Sequence, residues 1–193
     1  MKVVAVSGSA RRGGNTALLL ETVLEPLRGA GHECELVEVA GKDIRGCTAC
    51  GRCREINDGQ CHGRSDFGNE VMAKIFSADA ILLGSPTYFA DISSEMKAII
   101  DRTGYVARSQ PGLLARKPAA AVVSVRRAGG MHAFDSINHF FTISEMITVG
   151  SSYWNIGIGR DKGDVAGDAE GMSTMRRLGE NLAWVMEQLG QTR

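Results

Sequence analysis

The chain has 193 residues, 44% of them hydrophobic and 23% charged, a balance that supports one domain with a sizeable core and excludes a disordered chain. Its 22 lysines and arginines equal its 22 aspartates and glutamates, so no surplus of one sign argues for nucleic acid or an anionic membrane as a partner. With no apolar run near the ~18 residues of a membrane span and no signal-peptide pattern at the N-terminus, a soluble, cytoplasmic protein is expected.

Residues 3–7 form a nearly continuous apolar run ended by Gly8, and residues 15–27 place Leu18, Leu19, Val23 and Leu27 at helical spacing, which predicts strand, loop and helix. A strand is expected at 34–39, then a glycine- and cysteine-rich loop at 41–65, then a helix from Phe67 to Phe76. Residues 80–84 and 119–125 read as strands buried on both faces, with a helix at 93–104 between them. A helical stretch runs from the loop at 126–130 to Met146, with its Met131 to Phe141 part as a core-facing stripe. Residues 147–151 read as a fifth strand, residues 157–171 as a polar loop, and residues 170–189 as an amphipathic helix. Five strands alternating with five helices predict an α/β fold, an open, doubly wound parallel sheet in a single domain spanning 1–193. Ligands of such sheets sit beyond the carboxyl ends of the strands. That directs attention to the loops after Ser7, Gly84 and Val125.

The first loop, Gly8-Ser9-Ala10-Arg11-Arg12-Gly13-Gly14-Asn15-Thr16, has neither the triphosphatase nor the dinucleotide glycine pattern. It offers hydroxyls, an amide, helix N-terminal N–H groups and two arginines, a receptor for a phosphate monoester; a glycine-rich turn capped by Asn or Thr is the plainer reading. The second, Gly84-Ser85-Pro86-Thr87-Tyr88-Phe89, sets adjacent aromatics after a buried strand, where they can flank a planar ring. The third, Arg126-Arg127-Ala128-Gly129-Gly130, combines glycines that permit close backbone approach with arginines that favour negative charge.

Cys47, Cys50, Cys53 and Cys61 fall within fifteen residues, a clustering that favours metal or redox chemistry over disulfides in a reducing compartment. The Cys-x2-Cys-x2-Cys spacing lets one loop deliver three thiolates to a [4Fe-4S] cluster, with Cys61 as the fourth. A Cys3His zinc site with His62, a reactive dithiol and inert cysteines remain open alternatives. Cys34 reads as a packed core thiol. His32, His132 and His139 have no spacing that suggests a shared metal site, and no Ser/His/Asp constellation stands out. Tyr153 and Trp154 are placed to pack an interface or to cover a neighbouring ligand.

Gly8-Ser9-x-Arg11-x-x-x-Asn15-Thr16, Ser85-Pro86-Thr87-Tyr88 with the helix Met96-Lys97-Ala98-Ile99-Ile100-Asp101-Arg102, and Gly129-Gly130 together resemble the flavodoxin-like NAD(P)H-dependent FMN reductases over nearly the whole chain. The compact cysteine cluster between the second strand and the second helix resembles that superfamily's iron-sulfur flavoprotein branch. The resemblance implies strand order 2-1-3-4-5 and bound FMN. It puts Ser9, Arg11, Asn15 and Thr16 on the phosphate, Ser85, Pro86, Thr87, Tyr88 and Phe89 along the isoalloxazine, and Arg126, Arg127, Gly129 and Gly130 at its pyrimidine edge. It further implies NAD(P)H or ferredoxin as electron donor, a small-molecule or protein redox partner, and a homodimer or dimer of dimers. A cluster-free FMN or quinone reductase is the alternative, and a flavodoxin-like electron carrier is disfavoured by the zero net charge. Hydride transfer to flavin N5 needs no side-chain acid or base, so no catalytic residue is expected.

Overall fold

The computed structural model describes residues 1–190; residues 191–193 of the expected domain lie outside the described residues. Chain order is β1 (Lys2–Ser7), α1 (Asn15–Gly29), β2 (Glu33–Glu38), α2 (Arg52–Ile56), α3 (Phe67–Ser77), β3 (Ala80–Pro86), α4 (Ser94–Ser109), β4 (Pro118–Val125), α5 (Gly130–Ile143), β5 (Ile147–Thr148), β6 (Ile156–Ile158) and α6 (Ala169–Gly190), with a 3-10 turn at Asp164–Gly167 before α6.

The sheet is parallel throughout, in the order β2-β1-β3-β4-β5, with β6 also paired to β4. Side chains alternate across a strand, so the apolar runs of β1, β3 and β4 feed two cores. Val4, Val6, Ile81, Leu83, Ala121 and Val123 pack with residues of α3, α4 and α5. Val3, Ala5, Leu82, Ala120 and Val122 pack with residues of α1 and α6. Strands covered on both sides need no polar face, which is why these segments are continuous apolar runs. On the second side α1 and α6 approach so closely that a Cβ at Gly179 would lie 2.3 Å from the Val23 carbonyl oxygen.

β1 ends at Ser7, opposite Gly84 in register, and β3 continues beyond it to Pro86. Ser93 fixes the next helix against them: its hydroxyl donates to the Gly8 carbonyl at 2.7 Å and accepts from the Met96 N–H at 3.1 Å, capping α4. The first loop is therefore held from below by a cap belonging to another element.

The expected fifth strand is split. Pairing stops after Thr148 and resumes at Ile156 against the carboxyl half of β4. Asn155 fills the break: its Nδ2 donates to the Ala121 carbonyl at 3.0 Å, and its own carbonyl accepts from the Val123 N–H at 2.9 Å. α5 ends at Ile143, earlier than the expected Met146, because Glu145 turns the chain at a left-handed φ of 58°. The cysteine-rich loop contains the short helix α2, and the expected polar loop at 157–171 carries the end of β6, the 3-10 turn and the start of α6.

Candidate functional site

The three loops expected to form one site converge. Ser9, Arg11, Asn15 and Thr16 line a single cavity of about 370 Å³ with Pro86, Thr87, Tyr88, Ser124 and Arg126. Gly159, Arg160 and Asp161 complete its wall.

The first loop is wound around its own side chains. The buried Ser9 hydroxyl accepts from the Arg11 N–H at 3.1 Å, and Glu38 Oε1 at the end of β2 accepts from the Gly13 N–H at 2.7 Å. Gly14 is the N-cap of α1 and supplies no side-chain cap, so the first N–H groups of the helix point outward without an intrahelical acceptor. Thr16 is buried and shares a 2.8 Å hydrogen bond with Ser124 on β4. Asn15 ties the loop to a distant segment: its Nδ2 donates to the Asp161 carbonyl at 2.9 Å and its Oδ1 accepts from the Gly163 N–H at 2.9 Å. Arg11 likewise donates to the Arg160 carbonyl at 3.2 Å. Both residues thus pull the 159–163 segment over the helix N-terminus. A Cβ at Gly159 would stand 2.7 Å from the Val165 nitrogen and 2.8 Å from Asn15 Nδ2, so only glycine permits this approach. The segment brings Arg160 to the cavity. Its Gly157-Ile158-Gly159-Arg160-Asp161 pattern, two glycines followed by charge, was the available signal in a stretch read as polar loop.

In the second loop Ser85 lies beneath the surface. Its hydroxyl donates to the Pro86 carbonyl at 2.8 Å and accepts from the Ser93 N–H at 2.9 Å, fixing the strand end. Thr87 has its Oγ1 buried with no partner, a polar atom on the cavity wall still owed a hydrogen bond. Phe89 and Ala90 both take left-handed φ values, 48° and 65°, doubling the chain back so that Tyr88 and Asp91 pair. Phe89 is left fully exposed and Tyr88 41% exposed. The strained turn thus presents the Phe89 ring to solvent.

Asp91 joins the second loop to α5, the helix that follows the third. Its Oδ1 accepts from the Ser136 hydroxyl of α5 at 2.8 Å, and His132 lies 3.5 Å from its Oδ2. Partial burial works against the Asp91 charge, but the Ile92 N–H, the Ser136 hydroxyl and His132 together hold its pKa below the usual carboxylate value. Gly129, at φ 85°, packs so close to Ala90 that a Cβ would sit 3.3 Å away. The neighbouring arginines diverge: Arg126 lines the shared cavity, while Arg127 lines a second hollow of about 290 Å³ with Gly129, Gly130, Tyr153 and Trp154. Trp154 stacks obliquely between Phe134 and Tyr153, at centroid distances of 5.9 and 6.2 Å. The loose hydroxyl, the uncapped helix start, the arginines and the unpartnered aromatics fit an aromatic phosphate ester such as FMN.

The four clustered cysteines line one further cavity, of about 90 Å³, with Arg102, Tyr105 and Val106 of α4. Backbone N–H groups already address the sulfurs. Ala49, at φ 53°, turns its N–H onto Cys47 Sγ at 3.3 Å. The Arg52 N–H and the Thr48 hydroxyl hold the exposed Cys50 thiol below its ordinary pKa. Among the described residues no three His, Cys, Asp or Glu side chains converge as a ready metal shell; the donor chemistry of four cysteines on one cavity fits a thiolate-bound cluster. His62 points instead to Asp58, at 2.9 Å. Cys34 lies apart, half-buried, and burial pushes its thiol pKa up.

The sequence profile of the NADPH-dependent FMN reductase family matches residues 1–161. An iron-sulfur flavoprotein from Methanocaldococcus jannaschii is 35% identical over 97% of this chain and 98% of its own length. One from Methanosarcina thermophila is 29% identical over 100% of this chain and 99% of its own. Among solved structures, a flavodoxin-like WrbA-like protein from Agrobacterium tumefaciens superposes with a TM-score of 0.66 at 18% identity, covering 97% of this chain and 98% of that one. RosB, solved with a riboflavin-5'-phosphate derivative, superposes with a TM-score of 0.75 at 18% identity, covering 100% of this chain and 81% of that one; at such identities these two speak for the fold alone. The chain belongs to the NADPH-dependent FMN reductase family and, within it, to the iron-sulfur flavoproteins.

Proposed function

We propose that this flavin-dependent oxidoreductase carries FMN in the three-loop cavity and a [4Fe-4S] cluster on Cys47, Cys50, Cys53 and Cys61, and passes electrons from ferredoxin or NAD(P)H to a small acceptor. The observation that carries the FMN assignment is that residues of all three loops, Arg11, Tyr88 and Arg126 among them, line one cavity. FMN, when bound, supplies the exchange of one or two electrons. Arg11 and the N–H groups at the start of α1 bind the phosphate, helped by Ser9; Asn15 and Thr16 hold the loop in shape. Tyr88 and Phe89 flank the ring and exclude water from its face. Arg126 faces the ring's electron-rich edge and favours negative charge there, while Gly129 and Gly130 line the neighbouring hollow.

Three cysteines on one short loop with N–H donors aimed at sulfur support the cluster, since such donors tune thiolate-bound iron. A second reading is a cluster-free NAD(P)H-dependent FMN or quinone reductase. An FMN-dependent NADH:quinone oxidoreductase from Pseudomonas aeruginosa, 35% identical over 41% of this chain and 41% of its own length, is in keeping with that reading. Tyr153, Trp154 and Ile158 form an exposed apolar patch suited to a subunit contact, in line with a homodimer or dimer of dimers. Among the described residues no helix is long and apolar enough to cross a membrane.

The experiment is anaerobic stopped-flow mixing of the purified protein with reduced ferredoxin or NAD(P)H, following flavin bleaching. Bleaching by ferredoxin that is lost in a cluster-depleted sample supports the electron route; bleaching by NAD(P)H of anaerobically purified protein that contains neither iron nor sulfide establishes the second reading.

A further inference from the structure

Arg102 lies in α4 with its side chain fully buried, a position arginine occupies when its charge is matched and its donors are used. One guanidinium nitrogen donates to Asp66 Oδ1 at 2.6 Å and to the Arg45 carbonyl at 3.1 Å; the other donates to the Asn69 side-chain oxygen. Each acceptor leads into the cysteine-rich segment. Arg45 stands two residues before Cys47, and its N–H donates to Asp66 Oδ2 at 3.1 Å, pinning the start of the segment to its end. Asn69 carries the tie inward, because its Nδ2 donates to the carbonyls of Cys61 and Arg64, both at 3.1 Å. Space has been cleared for this group: a Cβ at Gly68 would lie 2.5 Å from the guanidinium. Arg102 is also part of the wall of the four-cysteine cavity, and its Nε is buried with no partner.

We infer that Arg102 is the positioning residue of the cysteine cavity: from the far helix it holds both ends of the cysteine segment, and it sets a buried positive charge beside the thiolates. The electrostatic part rests on the cluster reading above; the positioning part does not need the metal. A network of this kind lowers the entropy of the segment before ligation, so three thiolates and a fourth reach one site without ordering some twenty residues at the moment of binding. The charge favours the more negative, reduced state of a cluster held there.

The test uses full-length, FMN-bound protein prepared without oxygen as wild type, Arg102→Gln, Arg102→Lys and Asn69→Ala. Amide hydrogen exchange on metal-free samples is expected to rise about tenfold across residues 45–66 in Arg102→Gln and Arg102→Lys, with β1, β3 and β4 unchanged, and to rise only around residues 61–64 in Asn69→Ala. On cluster-loaded samples Arg102→Gln is expected to lower the midpoint potential by about tenfold in the reduction equilibrium, about 59 mV for a one-electron couple, while Arg102→Lys, which keeps the charge, stays near wild type. If Arg102→Gln fails to fold, the Lys and Asn69 variants decide. Unchanged exchange in those variants overturns the positioning role, and equal potentials in Gln, Lys and wild type overturn the electrostatic one. Absence of iron and sulfide from wild type would sink the cluster reading alone, leaving the exchange profiles to judge Arg102.

Discussion

Replacing Arg11 with alanine removes a cavity-lining side chain, proposed above to bind the phosphate, without touching the core. Arg11 is exposed and makes one side-chain hydrogen bond across the loop, to the Arg160 carbonyl at 3.2 Å. A charge-assisted hydrogen bond to a phosphate contributes about 1.5–3 kcal/mol, and solvent exposure places Arg11 near the lower end, about 1.5 kcal/mol. At 1.4 kcal/mol per decade this is about a tenfold weaker Kd for FMN. Riboflavin has the same ring and no phosphate, so its affinity should stay within about twofold and the FMN preference should shrink by the same factor of about ten. Arg12, exposed and outside the cavity wall, is the internal control, and Arg12→Ala should change neither affinity by more than about twofold. The assay is quenching of flavin fluorescence on titration into apoprotein at fixed salt. Equal losses for FMN and riboflavin in Arg11→Ala, or an equal FMN loss in Arg12→Ala, would refute the phosphate assignment.

Single serine substitutions at Cys47, Cys50, Cys53 and Cys61 should each lower iron and sulfide while FMN content holds, and Cys34→Ser should leave all three unchanged by metal and flavin assay. Arg126→Gln should lower the two-electron flavin potential by about 20–30 mV after allowance for solvent screening, with Arg127→Gln within error of wild type; spectroelectrochemical titration of both checks the divergence of the two side chains. Asn15→Leu removes two hydrogen bonds that hold the 159–163 segment and should cost about 1–3 kcal/mol in thermal or denaturant unfolding, with weaker FMN binding as a consequence. Burial alone would raise the Asp66 pKa, but Arg102 and the Arg45 and Gly68 N–H groups hold it below the ordinary value. The stabilisation is therefore full at neutral pH and is lost as pH falls from about 4 through the lower folded pKa. The protection factors of residues 45–66, taken against the intrinsic exchange rate at each pH, should fall below about pH 4 and stay flat between pH 5 and 7.

Much of this architecture is legible in the chain because its physics is local. The all-apolar segments Val3–Val6, Ile81–Leu83 and Ala119–Val123 can be stable only when covered on two sides, and that alone predicts the doubly wound sheet and the loops at its carboxyl edge. The broken fifth strand was hidden, since its pairing runs through the Asn155 side chain, a substitute for ladder bonds that no periodicity reveals. The same holds for Arg160 and Asp161, which reach the first loop from some 145 residues away through Arg11 and Asn15. Sequence chemistry singled out Asn15 as a phosphate contact and gave no sign of its bonds to Asp161 and Gly163, because an amide serves either purpose. Ser85 and Arg102 illustrate the reverse: both stand in motifs shared with flavin reductases, and in the structure both spend their polar groups on holding other segments in place. Cys47, Cys50, Cys53 and Cys61 were recognisable from spacing, and the structure adds that they line one cavity with a buried guanidinium in its wall.

The central claim, that one chain carries both FMN and an iron-sulfur cluster, is tested most directly by the visible spectrum of anaerobically purified protein read together with FMN, iron, acid-labile sulfide and zinc content. The account predicts flavin peaks on a broad brownish shoulder, with about one FMN, four iron and four sulfide per chain. Flavin with neither iron nor sulfide, or stoichiometric zinc in their place, would contradict it.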